Sequence, residues 1–253
     1  MKMKLMMLIG FVVAATHAYS QDYKLAKTSG RLEIFISNVE IEGYAGNEIL
    51  FSTKDHDRDE DERAKGLRSV NSSGLEDNTG IGINVTMKGE VIEVRQLKKM
   101  NSPEIKIKVP KGITIYYEHQ SQYGGEVKFK NIESEIEVSS HYNSLEFENV
   151  TGPVTAKAIY GSIDGTFGDN IKGPISIVSV YGHVDIAIPA ATKANVKLNT
   201  SYGEIFIATD FKIEIDKKGE LTSYGDNISG KINGGGITID LSANYDKIYL
   251  RKK

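Results

Sequence analysis

Short runs of alternating apolar and polar residues occupy most of this chain. They are clearest at 105–109 (IKIKV), 135–138 (EIEV), 174–177 (PISI), 195–198 (NVKL) and 236–241 (GITIDL). Period-two alternation built from Ile, Val and Thr predicts half-buried β-strands. No comparable stretch carries a helical period with caps, so the pattern predicts an all-β fold.

The runs recur in step with a tyrosine. Tyr123, Tyr142, Tyr160, Tyr181, Tyr202, Tyr224 and Tyr245 stand 19, 18, 21, 21, 22 and 21 residues apart. Each is followed by Gly124, Asn143, Gly161, Gly182, Gly203, Gly225 or Asp246, residue types that tolerate positive φ, which predicts one tight corner per repeat. Two positions before the tyrosine stand small residues: Ser121, Ser140, Ala158, Ser179, Thr200, Thr222 and Ala243. A fixed corner recurring every ~18–22 residues is the signature of stacked coils, a β-solenoid.

Parity sets the facing. Four and six residues before the tyrosine come Val138 and Ile136, Ala156 and Val154, Ile177 and Ile175, Leu198 and Val196, Leu241 and Ile239. After the corner the apolar positions are Leu145 and Phe147, Ile163, Val184 and Ile186, Ile205 and Ile207, Ile248 and Leu250. Side chains alternate faces along a strand, so the tyrosine is in phase with the apolar set. That predicts a corner-filling aromatic stack, with the small residue making room; the alternative is an exposed aromatic platform for sugar rings. Two repeats deviate. Gly125 is an extra residue at the Tyr123 corner, moving its apolar pair to Val127 and Phe129, and Lys218 and Glu220 stand at apolar positions before Tyr224. Pro153 and Pro174, each after a glycine, mark a second corner opposite the first.

Residues 21–104 read as irregular first coils, continuous with the regular repeats of 105–253. A charged segment at 54–80 interrupts them as a solvated loop. Arg251, Lys252 and Lys253 are expected to protect the last coil from edge-to-edge pairing.

The repeats resemble the DUF4097 family, the adhesin-like β-strand repeats related to head GIN adhesin-like domains. The resemblance rests on Ser179–Val184 (SVYGHV), Thr200–Ile205 (TSYGEI) and Asn149–Gly152 (NVTG), with tyrosine where the family commonly has asparagine before the corner glycine. It extends over roughly Gly30 to Leu250 and implies a single-stranded right-handed parallel β-helix in an exported protein, without a proven activity.

The first twenty residues change the picture of where the protein works. Lys2 and Lys4 precede an apolar run from Leu5 to Ala15, and Ala18 and Ser20 offer small residues for cleavage before Gln21. This predicts a signal peptide, too short to span a bilayer, and no transmembrane segment is expected after its removal. Losing two lysines takes the net charge from −3 to −5, which argues against nucleic acid as a partner. There is no cysteine, so neither disulfides nor thiol chemistry contributes. The expected location is the periplasm or the cell surface, and the expected partner an envelope glycan or protein.

Candidate chemistry centres on an acidic row. Glu146, Asp164 and Asp185 share the outward position four after successive tyrosines, and His183, Glu204 and Asp226 share the position two after. Carboxylates stacked one strand apart, ~4.8 Å, repel unless a cation or proton intervenes, so one pKa would rise. That spacing suits the ~5–5.5 Å pair of a retaining glycosidase, which makes a carbohydrate-active enzyme using Glu146, Asp164 and Asp185 the alternative to a binding module. Lys128, Lys157 and Lys197 stand near enough in the pattern to neutralise them. Asp55, Asp57, Asp59 and Asp61 alternate, but Glu60 and Gly66 break a calcium loop, and His56, His119, His141 and His183 lack zinc spacing. No metal or cofactor is expected. The few insertions between repeats leave little material for a walled catalytic groove, which favours binding over catalysis.

Overall fold

The computed structural model describes residues 22–53, 62–215 and 226–253. The expected signal peptide, the aspartates at 55–61, Tyr224, Gly225, Lys218 and Glu220 lie outside them. Seven strands form the N-terminal part: β1 (Tyr23–Leu25), β2 (Ser29–Phe35), β3 (Val39–Tyr44), β4 (Ile49–Thr53), β5 (Ile83–Lys88), β6 (Val91–Gln96) and β7 (Ile105–Pro110). The repeats supply β8 (Gly112–His119), β9 (Glu126–Lys130), β10 (Ile136–Ser140), β11 (Ser144–Val150), β12 (Val154–Ala158), β13 (Ile163–Phe167), β14 (Ile175–Ser179) and β15 (Val184–Ile188). Then follow β16 (Ala194–Thr200), β17 (Ile205–Ile207), β18 (Ile213–Ile215), β19 (Asp226–Ile232), β20 (Ile237–Ala243) and β21 (Ile248–Lys252).

From β8 to β17 the chain alternates between two sheets, one of eleven strands and one of ten, so each repeat gives one strand to each. The predicted inward positions fill the space between them: Ile136, Val138, Val154, Ala156, Ile175 and Ile177 from one sheet meet Leu145, Phe147, Ile163, Val184 and Ile186 from the other, all buried. Phe129 and Phe147 stack inside at 5.0 Å, and Phe167 continues the column. Gly165 faces this column; a Cβ there would stand 2.9 Å from Ile186 Cδ1, so the absent side chain accommodates the large ones beside it.

The sheets are mixed, not uniformly parallel. Among the described pairs, those joining β8 through β15 within each sheet are parallel, but β1, β4 and β7 pair antiparallel, as do β5 with β6 and β19 with both β16 and β18. The segment after β17 therefore doubles back along the eleven-stranded sheet instead of adding the next coil.

Order along the stack also departs from order along the chain. β20 lies between β14 and β16, with Leu241 opposite Ile177 on one side and Leu198 on the other. β21 likewise lies between β15 and β17, Ile248 pairing with Val184 and Ile205. The N-terminal end does the same: β2 sits between β6 and β8, and β3 between β7 and β9. Arg251 to Lys253 consequently end an internal strand, and their charges serve ion pairs with Asp185, Asp210 and Asp169 rather than an exposed edge. The strands at the edges of the ten-stranded sheet, β1 and β17, have three residues each, which limits what they can template.

Candidate functional site

The tyrosine corner is built from its backbone outward. The strand ends two residues before the tyrosine, at Ser140, Ala158, Ser179, Thr200 or Ala243, and these residues are buried. Where a hydroxyl is present it clamps the corner. Ser179 Oγ accepts from Gly182 N at 3.0 Å and donates to Gly161 O at 2.8 Å; Thr200 does the same for Gly203 N and Asp246 O. The glycines are needed for a reason other than the predicted one. None of Gly124, Gly161, Gly182 and Gly203 has positive φ. Instead, a Cβ on Gly182 would meet Gly161 O at 2.5 Å, and one on Gly161 or Gly203 would strike the carbonyl of Asn143 or Asp246. Close approach of neighbouring corners selects glycine here.

At the Tyr142 corner Asn143 stands in the glycine position, and its side chain turns inward. It is fully buried, donating to Ser37 O at 2.6 Å and Gly125 O at 3.1 Å while its Oδ1 meets His119 Nδ1 at 2.8 Å. The additional Gly125 at the neighbouring corner thus has a partner. Burial holds the His119 imidazole below its ordinary pKa.

The tyrosines themselves are exposed, between 44% and 66%. The corner-filling expectation is therefore corrected: strand alternation stops at the small residue, and the bend that follows turns the ring outward. Four of the amides bond a neighbouring corner: Tyr160 N to His141 O (2.8 Å), Tyr181 N to Ile159 O (2.9 Å), Tyr245 N to Val180 O (3.0 Å) and Tyr202 N to Asn244 O (2.9 Å). Held in step this way, the rings of Tyr142, Tyr160, Tyr181, Tyr245 and Tyr202 stack at 4.9–5.0 Å with planes within 17°. Tyr245 enters between Tyr181 and Tyr202 because β20 and β21 do. Tyr123, at the enlarged corner, is exposed and stands outside these stacked pairs.

The acidic row runs beside this ladder on the ten-stranded sheet. Glu146, Asp164 and Asp185 are register partners on β11, β13 and β15, as their common spacing predicted. Each has a basic neighbour. Lys128 Nζ is 2.6 Å from Glu146 and lowers its pKa, His183 Nε2 is 3.1 Å from Asp164, and Arg251 grips Asp185 with two bonds of 2.6 and 2.8 Å. Glu146, held below its ordinary pKa by Lys128, is therefore not the raised carboxyl that a general acid needs. The second row is reordered by the intercalated coil: Lys247 lies between His183 and Glu204 and pairs with Glu204 at 3.4 Å. Asp226 belongs to the other sheet, opposite Thr200. Beyond Asp185 the outward position turns aromatic, with Tyr249 and Phe206 stacked at 5.3 Å.

The sequence profile of the Toastrack family, DUF4097, matches residues 13–251. The chain belongs to this family. Two solved structures share 12% identity with this Toastrack chain: a "putative cell adhesion protein" from Clostridium sporogenes and a "putative adhesin" from Bacteroides fragilis. The first superposes with a TM-score of 0.49, covering 92% of this chain and 100% of that one; the second with 0.38, covering 92% and 95%. Comparison with curated proteins found no match.

Sequence reasoning missed one further feature of this Toastrack chain, at the opposite corner. Asn131 and Asn149 adopt φ of 54° and 52°, and Asn149 Nδ2 bonds Asn131 Oδ1 at 2.8 Å. They border an open depression of about 470 Å³ that also includes Glu133, Lys172 and Asp169. Lys111 and Lys172 flank Glu133 at 2.5 and 2.6 Å and hold its carboxyl down at about 2. Asparagine recurring at 131 and 149, one period apart, was the available signal; Asn131 follows β9, and Asn149 is the bulged residue near the end of β11. Among the described residues no group of three His, Asp or Glu is placed to hold a metal ion, and no helix is long and apolar enough to cross a membrane.

Proposed function

We propose that this protein is an exported, non-catalytic β-solenoid module that binds a component of the bacterial cell envelope, in the manner the word adhesin implies. The observation that carries the reading is the strip of five stacked, solvent-exposed tyrosines, an arrangement a purely structural corner does not require. Large exposed aromatic surface on a folded chain marks contact with a partner. Signal-like residues 1–20 support export to the periplasm or cell surface, and residues 21–253 are read as one domain whose stacked coils wind right-handed. The family membership is consistent with this, and the pairing of Glu146 with Lys128 and of Asp185 with Arg251 speaks against hydrolysis by the acidic row.

The test is binding of the purified protein to an array of envelope glycans, peptidoglycan fragments and envelope proteins, beside Tyr181→Ala and the double variant Asp164→Asn/Asp185→Asn. Retention that is lost in folded Tyr181→Ala supports the module. Release of a cleaved product by the wild type, abolished in the double variant, would overturn it in favour of a hydrolase. Cell fractionation with N-terminal sequencing checks export, the expected first residue being Gln21.

A further inference from the structure

The ladder leaves five phenolic hydroxyls in an exposed row, and none has a hydrogen-bond partner among the described residues. Their spacing follows the ring spacing of 4.9–5.0 Å. The inner rings of Tyr160, Tyr181 and Tyr245 have both faces covered by neighbouring rings. What reaches solvent is therefore a strip of ring edges and hydroxyls, not the flat faces on which a sugar would stack.

From this geometry, and resting on the binding-module reading, we infer that the strip binds an extended, uncharged 1,4-linked polysaccharide lying along the ladder with one pyranose per tyrosine. Three observations select that ligand. An extended 1,4-linked chain advances by close to one rung per sugar, so every tyrosine meets a sugar, alternate sugars presenting opposite edges. A peptide strand advances ~3.3 Å per residue, so it matches the ladder only at every second rung and leaves alternate tyrosines without an equivalent contact. Phenol hydroxyls both donate and accept, as sugar hydroxyls do. Beside the strip Glu146 pairs with Lys128, Asp185 with Arg251 and Glu204 with Lys247, and Asp164 bonds His183, so these carboxylates form no unpaired row to attract a polyelectrolyte. Stacking and the corner amide bonds fix the rings before binding, so little side-chain freedom remains to be lost.

Calorimetric titration with soluble β-1,4-linked glucose and N-acetylglucosamine oligomers of two to six sugars tests this, with 1,6-linked dextran as the mismatched chain. Affinity should rise with each added sugar up to five and then level. The triple variant Tyr160→Phe/Tyr181→Phe/Tyr245→Phe keeps the rings and should melt like the wild type. It should bind at least about tenfold more weakly, since three net hydrogen bonds are removed. Length-independent affinity, equal binding of dextran, or unchanged binding by the triple variant would each overturn the inference. So would a wild-type dimer seen by sedimentation and lost in the triple variant, because the ladder would then match the ladder of a second copy. Silence toward these oligomers, with capture of a protein or an acidic glycan on the array, overturns this ligand and leaves the module standing.

Discussion

The middle of the molecule and its two ends are made from the same repeat yet assembled by different rules. From β8 to β15 the order of coils in space is the order in sequence, and within each sheet the strands run parallel. At the ends the first coil, β2 and β3, and the last, β20 and β21, are each inserted one place inward, and antiparallel strands lie beyond them. The lesson is that a repeat specifies the inside of a coil and leaves its neighbour open. Ile175 and Ile177 would accept Val196 and Leu198 as readily as the Ile239 and Leu241 they meet. Every coil presents the same apolar columns and the same corner, so local pattern does not rank the partners.

The largest test of that difference is truncation. A chain ending at Asn233 loses β20 and β21 from the interior of both sheets, leaving β16 and β17 without their parallel partners. It should show no cooperative unfolding transition in urea. A sharp wild-type transition would show that the last coil is an appendage. The corner comes next. Gly182→Val places a side chain against Gly161 O and should cost about 3 kcal/mol by overpacking, measured by urea melts. Gly234→Ala, in a turn near the inserted coil with φ of 81° and open space, should cost only about 1 kcal/mol, from backbone strain alone. Equal effects would contradict the close approach of the corners.

Where the N-terminal coil meets the middle, Asn143→Ala should cost about 2 kcal/mol because Gly125 O loses its side-chain donor, Ser37 O keeps only Gly125 N, and buried His119 Nδ1 loses its partner. The same junction should respond to pH. Burial lowers the pKa of His119 in the folded state below the ordinary value of 6.5 at which the unfolded chain takes up the proton. Stability should therefore fall as pH drops below about 6.5, and His119→Gln should flatten that part of a melting-temperature profile. Smallest is Tyr181→Ala. A half-exposed ring contributes mainly its two stacking contacts, about 1 kcal/mol, whereas burial would have made it about 3. A loss near the larger figure would mean the ladder is a structural element of the stack.

Much of this was legible in the chain. The alternation located the buried columns, down to Leu145 and Phe147 after one corner and Val184 and Ile186 after another. The common spacing of Glu146, Asp164 and Asp185 put them side by side. Three things were not readable. The tyrosines were carried past the end of their strands by parity, although alternation holds only while the backbone stays extended. The corner glycines look like turn residues in sequence, and only neighbouring coils reveal that carbonyl contact selects them. His183 and Glu204 are successive in the pattern but separated in space by Lys247, because coil order depends on residues far apart along the chain.

The inserted last coil also has a consequence in time. A chain is made from its N-terminus, and segments fold as they become available. Here β16 has only its antiparallel neighbour β19, and β17 no sheet partner, until residues 237–252 arrive beside β14 and β15. These sixteen residues thus complete the sheets, and the tyrosine strip becomes continuous only when Tyr245 takes its place between Tyr181 and Tyr202. A protein lacking that coil would display an interrupted strip, so a continuous strip reports that residues 237–252 are in place.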